Sequence, residues 1–462
     1  MIRLFKHYVP HTVLLLGLID LAVLILAAEG GWLLRIWQIG GDFTPSLGRI
    51  PEILTYALTL QVAMVGVGVY AIDALWSMRI AVARLVVSIS LAVLLLAFIF
   101  FMVPALEFWR SNLFYAMIFS LFGLVAVRLM LGKTLDASAF KRRVLILGAG
   151  PRAARVEQLA ARNGASFTVA GYVAMNDGVL AVPQAVNRSR IPNLSDHVVR
   201  LGASEVVLAL EERRNALPLA DLLRVKTAGV NVNELSSFLE RETGRVDLDS
   251  LNPSWLIFSD GFSAGRRISS AGKRLFDIIV SATILILMSP LILITAVAVK
   301  LESPGPAFFR QRRIGLYGEQ FEILKLRSMR QDAEPGGVAV WAQKDDPRIT
   351  RVGNVIRKLR IDELPQAWSV LKGEMSLVGP RPERPEFVAD LEAQLPYYAE
   401  RHMVKPGITG WAQVNYPYGA SIEDARHKLE YDLYYTKNYS LFLDLLILLQ
   451  TVRVVLFPDG AR

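Results

Sequence analysis

Two adjacent carboxylates, Asp362 and Glu363, follow a strongly basic stretch of the chain. The nearby cations should favour the charged form of both carboxylates, lower their pKa and keep them ionised. An ionised Asp362 beside a charge-neutralised phosphate could attack phosphorus. A solvated helix face with ordinary ion pairs is the alternative. The basic residues, which would suit a bound diphosphate better than a protein core, are Arg348, Arg351, Arg357, Lys358 and Arg360.

Composition indicates a membrane protein with several domains. A length of 462 residues favours roughly three domains. Hydrophobic residues make up 53% of the chain, above the range of soluble domains, so membrane segments are expected. The absence of cysteine excludes disulfides, thiol catalysis and Cys-ligated metal, and the five histidines show no metal-ligand spacing. The first apolar stretch has no small-residue cleavage site, so no cleavable signal peptide is expected.

The net charge of +9 indicates an anionic partner. Nucleic acid, anionic lipid and a phosphorylated substrate are the three candidates. The cations concentrate beside apolar segments and near Asp362. We therefore expect no nucleic-acid partner.

Four apolar segments in the first 135 residues predict a helical transmembrane bundle over residues 1–137. Each reaches roughly the ~20 residues that cross a bilayer core. Cations flank the N-terminus, the turn between the second and third segments, and the end of the fourth segment. The positive-inside rule therefore places these parts, and everything after residue 133, in the cytoplasm. Asp20 and Asp73 fall inside or near the ends of these segments and are expected to be helix-end or bundle-facing carboxylates, with a proton or ion relay as the alternative. The segments are 11–37, 51–76, 83–106 and 113–131.

Residues 138–262 alternate apolar strands with helical stretches, which predicts a parallel, Rossmann-like α/β domain. The turn Gly148–Gly150 could seat a dinucleotide phosphate at a helix N-terminus. However, Ala153 occupies the third glycine position, and the second strand ends without a ribose-binding acid. A structural or regulatory domain is therefore favoured over cofactor binding. The predicted strands are 144–147, 167–173, 205–210 and 230–232.

The apolar stretch from Ile278 to Val299 predicts a re-entrant membrane helix over residues 274–300. Its 22 residues could span a bilayer, but cations flank it on both sides, which opposes a crossing. Ser289 and Pro290 lie at its centre, where proline removes a backbone donor and the serine hydroxyl can bond a freed carbonyl. We expect a helix that bends there and leaves on the face it entered. A fifth span with a mild kink is the alternative.

Four further features follow this helix. Alternation over 321–327 predicts a strand with Lys325 and Arg327 on one face. A turn at Asp345–Arg348 should lead into a helix that delivers Asp362. Two proline-stiffened loops, 379–382 and 405–411, each carry a cation and suit either nucleotide binding or plain turns. Residues 441–457 predict either an interfacial helix or a buried core helix.

Residues 267–462 closely resemble the bacterial sugar transferase family, the polyprenyl-phosphate hexose-1-phosphate transferases or monotopic phosphoglycosyl transferases. The whole chain resembles the large form of the family, which has four spans and a Rossmann-like domain ahead of an α/β catalytic domain, here 263–462. It is most similar to the exopolysaccharide group associated with exosortase systems. The matching motifs, in order, are Lys273–Asp277, Ser289-Pro290, Phe308–Gln311, Lys325–Met329, Asp346–Arg348, Arg357–Gln366, Gly379–Pro382 and Lys405–Asn415.

The resemblance implies a two-step reaction. Asp362 matches the nucleophile that attacks the β-phosphate of a UDP-sugar and releases UMP, and Glu363 matches its acidic partner. Undecaprenyl phosphate then accepts the phosphosugar. The family requires Mg²⁺, and Asp362 is the residue expected to contact it. Ser289 and Pro290 match the membrane break. The residues expected to bind substrate phosphate or nucleotide are Lys325, Arg327, Arg357, Pro380, Arg381, Pro382, Gly407 and Thr409.

The chain departs from the family pattern at two places near the expected sugar or phosphate contacts. Tyr416–Gly419 replaces a common Gly-Arg pair, and Arg360 stands where a small polar residue is frequent. The sugar is therefore open, with glucose as our guess, and a homodimer is open as well. We expect an enzyme on the cytoplasmic side of the bacterial inner membrane that initiates exopolysaccharide assembly.

Two other functional classes compete with this one. A membrane-anchored nucleotide-sugar dehydratase or epimerase would typically use a Tyr-x-x-x-Lys pair, and none of the fourteen tyrosines has a lysine four positions later. A non-catalytic assembly scaffold would not need the intact pair Asp362 and Glu363 among cations.

Overall fold

The structure is a computed structural model. It describes residues 2–4, 7–41, 46–71, 74–75, 77–134, 141–162, 165–175, 180–211, 217–251, 267–331, 333, 346–417, 419 and 421–456. Contacts divide the chain into two compact units, Met1–Ile2 with Tyr8–Asn252, and Arg3–His7 with Pro253–Arg462. The domain boundaries predicted at 137/138 and 262/263 lie outside the described residues, as do Asp73 and, in the predicted turn, Asp345.

Long apolar helices form the first part of the first unit. They begin after two short strands, β1 (Ile2–Leu4) and β2 (His7–Val9). Five described helices are long and apolar enough to cross a membrane: four lie in the first unit and the fifth lies in the second. The helices of the first unit are α1 (His11–Ile39), α2 (Ile50–Val67), α3 (Met78–Met102) and α4 (Arg110–Thr134), with 3-10 turns at Ser46–Arg49 and Pro104–Leu106.

The second apolar segment ends earlier than its composition predicts. Its helix, α2, stops at Val67, whereas apolar residues continue to 76. Gly68 has a φ of 80°, a left-handed conformation that favours glycine and ends a helix. A local backbone conformation therefore overrides hydropathy at this end.

A charged pair holds α1 to α4 inside the helical bundle. Arg128 Nη1 donates to Asp20 Oδ1 at 2.9 Å, and Arg128 Nη2 donates to Oδ2 at 2.7 Å. The hydroxyl of Tyr70 donates to Asp20 Oδ2 at 2.9 Å and accepts from Gln61 Nε2 at 2.8 Å. Asp20 is completely buried, so the prediction that it faces the bundle is confirmed.

A parallel sheet forms the rest of the first unit, as the alternation of strands and helices predicts. Among the described residues, five strands pair in the order β5-β4-β3-β6-β7, and every pairing is parallel. The strands are β3 (Arg142–Leu147), β4 (Phe167–Ala174), β5 (Val186–Asn187), β6 (Glu205–Leu208) and β7 (Asn231–Glu234). The helices are α5 (Pro151–Ala160), α6 (Leu194–Arg200), α7 (Leu219–Thr227) and α8 (Leu235–Thr243), with a 3-10 turn at Arg188–Arg190.

The two faces of this sheet each bury an apolar layer. Side chains of β3 alternate between faces, so Val144 and Ile146 belong to one hydrophobic cluster while Leu145 and Leu147 belong to the other. Burial on both faces explains why this strand is a continuous apolar run.

The second unit begins with one long helix, α9 (Arg267–Glu302), followed by the antiparallel pair β8 (Phe308–Ile314) and β9 (Gln320–Leu326). Short parallel strands β10 (Ser376–Val378) and β11 (Gly407–Thr409) form a second pair. The other helices are α10 (Arg351–Lys358), α11 (Ala367–Lys372), α12 (Pro385–Gln394), α13 (Trp411–Asn415), α14 (Ile422–Asn438) and α15 (Leu441–Leu456), with 3-10 helices at Leu316–Gly318, Ile361–Gln366 and Ala399–Met403.

The predicted C-terminal helix is buried on one face, and its interfacial role stays a prediction. In α15, Leu443 and Ile447 are completely buried, whereas Leu441 and Leu445 are exposed. One face therefore packs in the second unit and the other is open. The last predicted residue, Phe457, lies outside the described residues.

Glycines let two loops of the second unit approach closely. A Cβ on Gly407 would lie 2.0 Å from the backbone nitrogen of Gly379, and a Cβ on Gly410 would lie 2.2 Å from the carbonyl oxygen of Gly379. Because no side chain fits at these positions, the backbone after β10 lies directly against β11. This contact positions the loop that carries Arg381.

Candidate active site

The chain reverses direction just before the carboxylate pair. Helix α10 ends at Lys358, and Arg360 adopts a left-handed conformation with a φ of 57°. A 3-10 helix then begins at Ile361 and carries Asp362 and Glu363 in its first turn. The predicted helix therefore precedes the pair, and a separate 3-10 helix delivers it.

Glu363 is surrounded by cations. Arg381 Nη2 donates to its Oε1 at 2.8 Å, and Lys325 Nζ lies 3.6 Å from the same oxygen. Arg360 Nη1 lies 3.5 Å from Oε2. Arg381 and Lys325 hold the pKa of Glu363 well below its usual range, despite the opposing effect of burial. The predicted lowering of the pKa is confirmed for this carboxyl.

The pKa of Asp362 is shifted in the opposite direction from that of Glu363. Its side chain is 9% exposed, and its Oδ1 has no hydrogen-bond partner in the described structure. Burial, and then the charge of Glu363, raise its pKa; Lys325, Arg357 and Arg360 oppose this without reversing it. The predicted lowering was therefore wrong for Asp362, because Glu363 holds the closest cations.

Lys325 connects the two carboxylates electrostatically from strand β9. Burial lowers the pKa of Lys325 to about 8, and the charges of Arg381 and Arg313 add to the effect. Glu363 and Asp362 act in the other direction. The ammonium group is thus mostly protonated at neutral pH but titrates far below an ordinary lysine.

The proline-flanked loop holds Arg381 through its backbone. The carbonyl of Pro380 accepts from Gly407 N at 2.9 Å, and the carbonyl of Pro382 accepts from Arg313 Nη1 at 3.0 Å. Pro380, Pro382 and Gly407 therefore shape the loop. Thr409 is directed elsewhere, since its hydroxyl lies 2.8 Å from the hydroxyl of Thr451.

Arg327 is not brought to the carboxylates. Its Nη1 donates to the carbonyl of Pro304 at 2.7 Å, and its Nη2 donates to the carbonyl of Ser303 at 2.8 Å. Arg327 follows the last residue of β9, so the strand alternation that would place it beside Lys325 does not extend to it. Its guanidinium instead binds the carbonyls at the end of α9, as a cation at a helix C-terminus does.

The basic stretch contributes fewer cations than its sequence suggests. Arg348 pairs with Asp346 at 2.5 Å, and Arg351 is exposed at the start of α10. Arg357 acts on Asp362 through its charge, and Arg360 acts on both carboxylates. Sequence spacing alone could not separate these cases, because the reversal at Arg360 decides which side chains face the pair.

Two arginines that the sequence reasoning did not single out support this site. Arg313, on β8, binds the carbonyl of Pro382. Arg401, in the 3-10 helix Ala399–Met403, donates its Nη2 to the carbonyl of Arg381 at 3.0 Å. Arg313 lies beside Arg310 and Arg312, and Arg401 lies between Glu400 and His402, so no sequence signal separates either residue from ordinary surface cations.

Both ends of α9 contact other elements of the second unit, and the middle of the helix is exposed. Near the start, Arg274 donates to the carbonyls of Val370 and Leu371 at 2.6 and 2.7 Å. Near the end, Val299 packs in one hydrophobic cluster with Ile356 and Ile361. The middle presents exposed apolar side chains, including Ile286, Leu287, Leu293 and Ile294. The helix is continuous through Pro290, and the hydroxyl of Ser289 donates to the carbonyl of Ile286 at 2.8 Å.

The glycine turn of the first unit already contains an anion. Glu211 Oε1 accepts from the backbone N–H of Arg152, in the first turn of α5, at 3.0 Å. A Cβ on Gly150 would lie 3.1 Å from the Glu211 side chain. An internal carboxylate thus occupies the position where a nucleotide phosphate would bind such a turn.

A magnesium ion would fit Asp362 only together with a substrate. The described residues contain no group of three or more His, Asp or Glu side chains that could hold a metal. The Oδ1 of Asp362 is buried without a hydrogen-bond partner among the described residues, so this oxygen is available to a metal. Mg²⁺ commonly binds one or two carboxylates plus substrate phosphates and water, so this donor set suits a metal shared with a diphosphate.

Sequence relationships decide the family. The sequence profile described as Bacterial sugar transferase matches residues 268–458. A sugar transferase of Bacillus subtilis, EpsL, whose function is uncharacterised, is 45% identical over 194 residues, which cover 41% of this chain and 90% of the relative. The chain belongs to the bacterial sugar transferase family. A second member, the UDP-glucose:undecaprenyl-phosphate glucose-1-phosphate transferase of Caulobacter vibrioides, is 46% identical over 191 residues, 41% of this chain and 71% of the relative.

Another member of the family carries a different sugar in its name. The UDP-N-acetylgalactosamine-undecaprenyl-phosphate N-acetylgalactosaminephosphotransferase of Aeromonas hydrophila is 48% identical over 241 residues. The match covers 52% of this chain and 56% of the relative, so the chain spans little more than half of that protein's length. Relatives with similar identity thus differ in sugar, and the family alone does not define the sugar of this transferase.

Proposed function

We propose that this transferase moves a hexose 1-phosphate from a UDP-sugar to undecaprenyl phosphate and releases UMP, initiating exopolysaccharide assembly. The observation that carries the proposal is the difference between the hydrogen-bond and ion-pair partners of the two carboxylates. Glu363 binds cations and stays ionised, while Asp362 keeps an unpartnered oxygen beside them. The names of the relatives support the donor and acceptor classes.

The proposed reaction has two displacements at phosphorus. In the first, a carboxylate oxygen of Asp362 attacks the β-phosphorus, the bond to the bridging oxygen breaks, and its electron pair leaves with UMP. In the second, an oxygen of undecaprenyl phosphate attacks the aspartyl-phosphosugar, and the bond to Asp362 breaks. The carboxylate is regenerated and undecaprenyl-diphosphate-sugar is formed.

The cations would stabilise charge as it moves between oxygens. Lys325 and Arg381 lie closest to Glu363, and Arg357 acts on Asp362 through its charge. Together they favour a diphosphate at the pair, where developing negative charge is greatest. The raised pKa of Asp362 matters as well, because a more basic carboxylate is a better nucleophile once it is ionised.

Magnesium is part of the proposal. Asp362 would hold it through the oxygen that has no protein partner, together with the substrate diphosphate. The ion would neutralise charge on the phosphates. Lys325 and Arg381 remain the protein's own contribution to that task.

The contacts of α9 support a re-entrant helix. In a straight helix, Arg274 and Val299 would lie about 38 Å apart. Their partners, Val370 and Ile361, belong to consecutive short helices that together span at most about 18 Å between those residues. A bend near Pro290 reconciles these lengths and directs the exposed apolar middle into one leaflet.

The membrane position follows from this helix and its neighbours. Val355 and Leu359 are exposed one turn apart, beside exposed Lys358, as in a helix lying on a bilayer. Asp362 then lies at the membrane surface on the cytoplasmic side of the inner membrane, where a soluble nucleotide and a lipid phosphate can meet. The chain has no cysteine, so single cysteines at Gly272 and Glu319 can test this. A re-entrant helix requires labelling of both from the cytoplasmic face only; labelling of Glu319→Cys from the other face contradicts it.

The first unit is proposed to be a four-span anchor followed by a Rossmann-like domain. The helices α1 to α4 overlap the four predicted apolar segments, and α2 ends before the predicted end of its segment. The strand order β5-β4-β3-β6-β7 progresses outward from β3 in both directions, as in the first five strands of a Rossmann sheet. Because Glu211 occupies the glycine turn, the structural role is favoured over cofactor binding.

The deciding experiment measures UMP release by the full chain in membranes. Wild-type protein should release UMP from a UDP-sugar in the presence of undecaprenyl phosphate, with UDP-glucose and UDP-N-acetylgalactosamine tested first. Asp362→Asn should abolish release while its thermal unfolding stays unchanged. Incubation with donor alone should add one phosphosugar to the intact mass of wild type and none to the variant. Undiminished release by Asp362→Asn would rule out this nucleophile.

A further inference from the structure

Arg401 is a buried cation that touches neither carboxylate of the site. It is 5% exposed and lies in the 3-10 helix Ala399–Met403. Its Nε and Nη2 donate to Asp432 Oδ2 at 3.0 and 2.6 Å, and its Nη1 donates to the hydroxyl of Tyr398 at 2.8 Å. Asp432, on α14, is 2% exposed. Ordinary ion pairing would be complete with these contacts.

One further hydrogen bond links the Arg401–Asp432 ion pair to the loop that carries Arg381. Arg401 Nη2 also donates to the carbonyl of Arg381 at 3.0 Å. Arg381 lies between two prolines whose φ angles are restricted, so its peptide has little freedom of its own. Its side chain binds Glu363, whereas its carbonyl binds Arg401.

The neighbouring carbonyls of the loop are bound in the same way. Pro380 accepts from Gly407 N, Pro382 from Arg313, and Glu383 from the backbone N–H of Ile314 at 3.0 Å. Among these partners, Arg401 is the one buried side chain that joins the loop to α14, through Asp432. A fixed backbone restricts the positions that the Arg381 guanidinium can take and keeps it within reach of Glu363.

We infer that Arg401, held by Asp432, is a positioning residue that acts through Arg381. It fixes the peptide from which the Arg381 guanidinium reaches Glu363 and, with it, the substrate phosphates. This inference rests on the proposed transferase activity and adds a buried residue to that site. Loss of the bond between Arg401 and the Arg381 carbonyl should lower turnover through Arg381.

The substitution Arg401→Lys separates this role from simple structural support. Lysine keeps a positive charge beside Asp432, so stability should largely be retained. A single ammonium cannot bind Asp432, Tyr398 and the Arg381 carbonyl in the fixed fork of a guanidinium. We expect kcat/KM for the UDP-sugar to fall at least about tenfold, toward the roughly hundredfold loss that a misplacement of one ångström causes.

A matched control removes a buried bond on the same helix. The hydroxyl of Thr436 donates to the carbonyl of Asp432 at 2.9 Å, and Thr436→Val deletes that bond without touching Arg381. Thr436→Val should lower thermal stability, while kcat/KM stays within about twofold of wild type. The lost bond lies within α14 and does not reach the loop that carries Arg381. A fall in kcat/KM as large as that of Arg401→Lys would mean that both act through stability, and would overturn the inference.

A double-mutant cycle with Arg381→Ala provides the second readout. If Arg401 acts through Arg381, Arg401→Lys should change kcat/KM by less than about twofold in the Arg381→Ala background. A full tenfold loss in that background would overturn the inference while leaving the transferase function intact. Absence of UMP release from wild-type protein would instead refute the proposed function.

Hydrogen exchange gives a readout that does not depend on activity. In detergent or nanodiscs, peptides covering Gly379–Glu383 should exchange faster in Arg401→Lys than in wild type or in Thr436→Val. Unchanged exchange in this segment would show that Arg401 does not hold the loop.

Discussion

Lys325 should produce a basic limb near pH 8 in the pH dependence of UMP release. Its pKa is lowered from the ordinary 10.5 to about 8, chiefly by burial and then by the charges of Arg381 and Arg313. This lowering corresponds to about 3 kcal/mol against the protonated form in the folded protein. About three quarters of the molecules carry the ammonium at pH 7.5 and about one tenth at pH 9, from a simple titration. If the ammonium binds substrate phosphate, kcat/KM should fall about tenfold per pH unit above 8.

The assay compares wild type, Lys325→Arg and Lys428→Arg from pH 6.5 to 10. Arginine does not titrate in this range, so Lys325→Arg should lose the limb near pH 8, whatever its activity at neutral pH. Lys428 also has a pKa lowered by burial, and it serves as the matched control. Lys428→Arg should keep the limb. Persistence of the limb in Lys325→Arg, or its loss in Lys428→Arg, would refute the assignment to Lys325.

The same titration has a consequence for stability. Because the folded-state pKa lies below the unfolded value, the folded protein binds fewer protons at Lys325 between pH 8 and pH 10.5. The contribution of Lys325 to stability is therefore unfavourable below pH 8 and improves as the pH rises across that window. Activity should thus fall over a range in which this residue no longer destabilises the fold, so returning samples to neutral pH should restore activity.

Four other substitutions test the fold around the site and the bundle. Arg128→Met should destabilise the helical bundle by about 3–5 kcal/mol, because it leaves Asp20 buried without its cation, and thermal unfolding in detergent measures this; an unchanged midpoint would contradict the pairing. Gly407→Ala should disrupt the site and lower UMP release sharply, because its Cβ would lie 2.0 Å from a backbone nitrogen. Gly272→Ala, whose Cβ meets nothing within 4 Å, should leave both release and stability intact. Arg360→Gly should relieve about 1–2 kcal/mol of left-handed strain against an exposed ion pair worth at most about 1 kcal/mol, so stability should be retained or rise slightly; a loss above 1 kcal/mol would show that the ion pair dominates.

The fold was largely predictable because its patterns are local. Continuous apolar strands alternating with helices predict the parallel sheet, and the long apolar segments predict the membrane helices. The end of α2 was missed because the left-handed conformation of Gly68 is a property of one residue and leaves hydropathy unchanged. Features that depend on a pattern over many residues are thus predictable from the sequence, whereas the backbone conformation of a single residue is not.

The site was predictable in its residue types and less so in its electrostatics. Sequence proximity suggests that all cations near Asp362 lower its pKa, but the fold brings Lys325 and Arg381 to Glu363 from distant segments. Which carboxylate binds the cations depends on tertiary geometry. Arg327 was expected at the site because alternation placed it in the strand, on the same face as Lys325. It lies just past the end of that strand and binds the carbonyls that follow α9.

The carboxylate of Glu211 at the start of α5 has a consequence for the proposed structural role of the sheet domain. A nucleotide bound at such a turn would add to folding stability in proportion to the logarithm of its concentration. With an anion from the same chain in that place, the domain needs no small molecule to complete the helix end. Its stability should therefore not depend on such a nucleotide, which suits the connector that we propose between the first helices and the second unit.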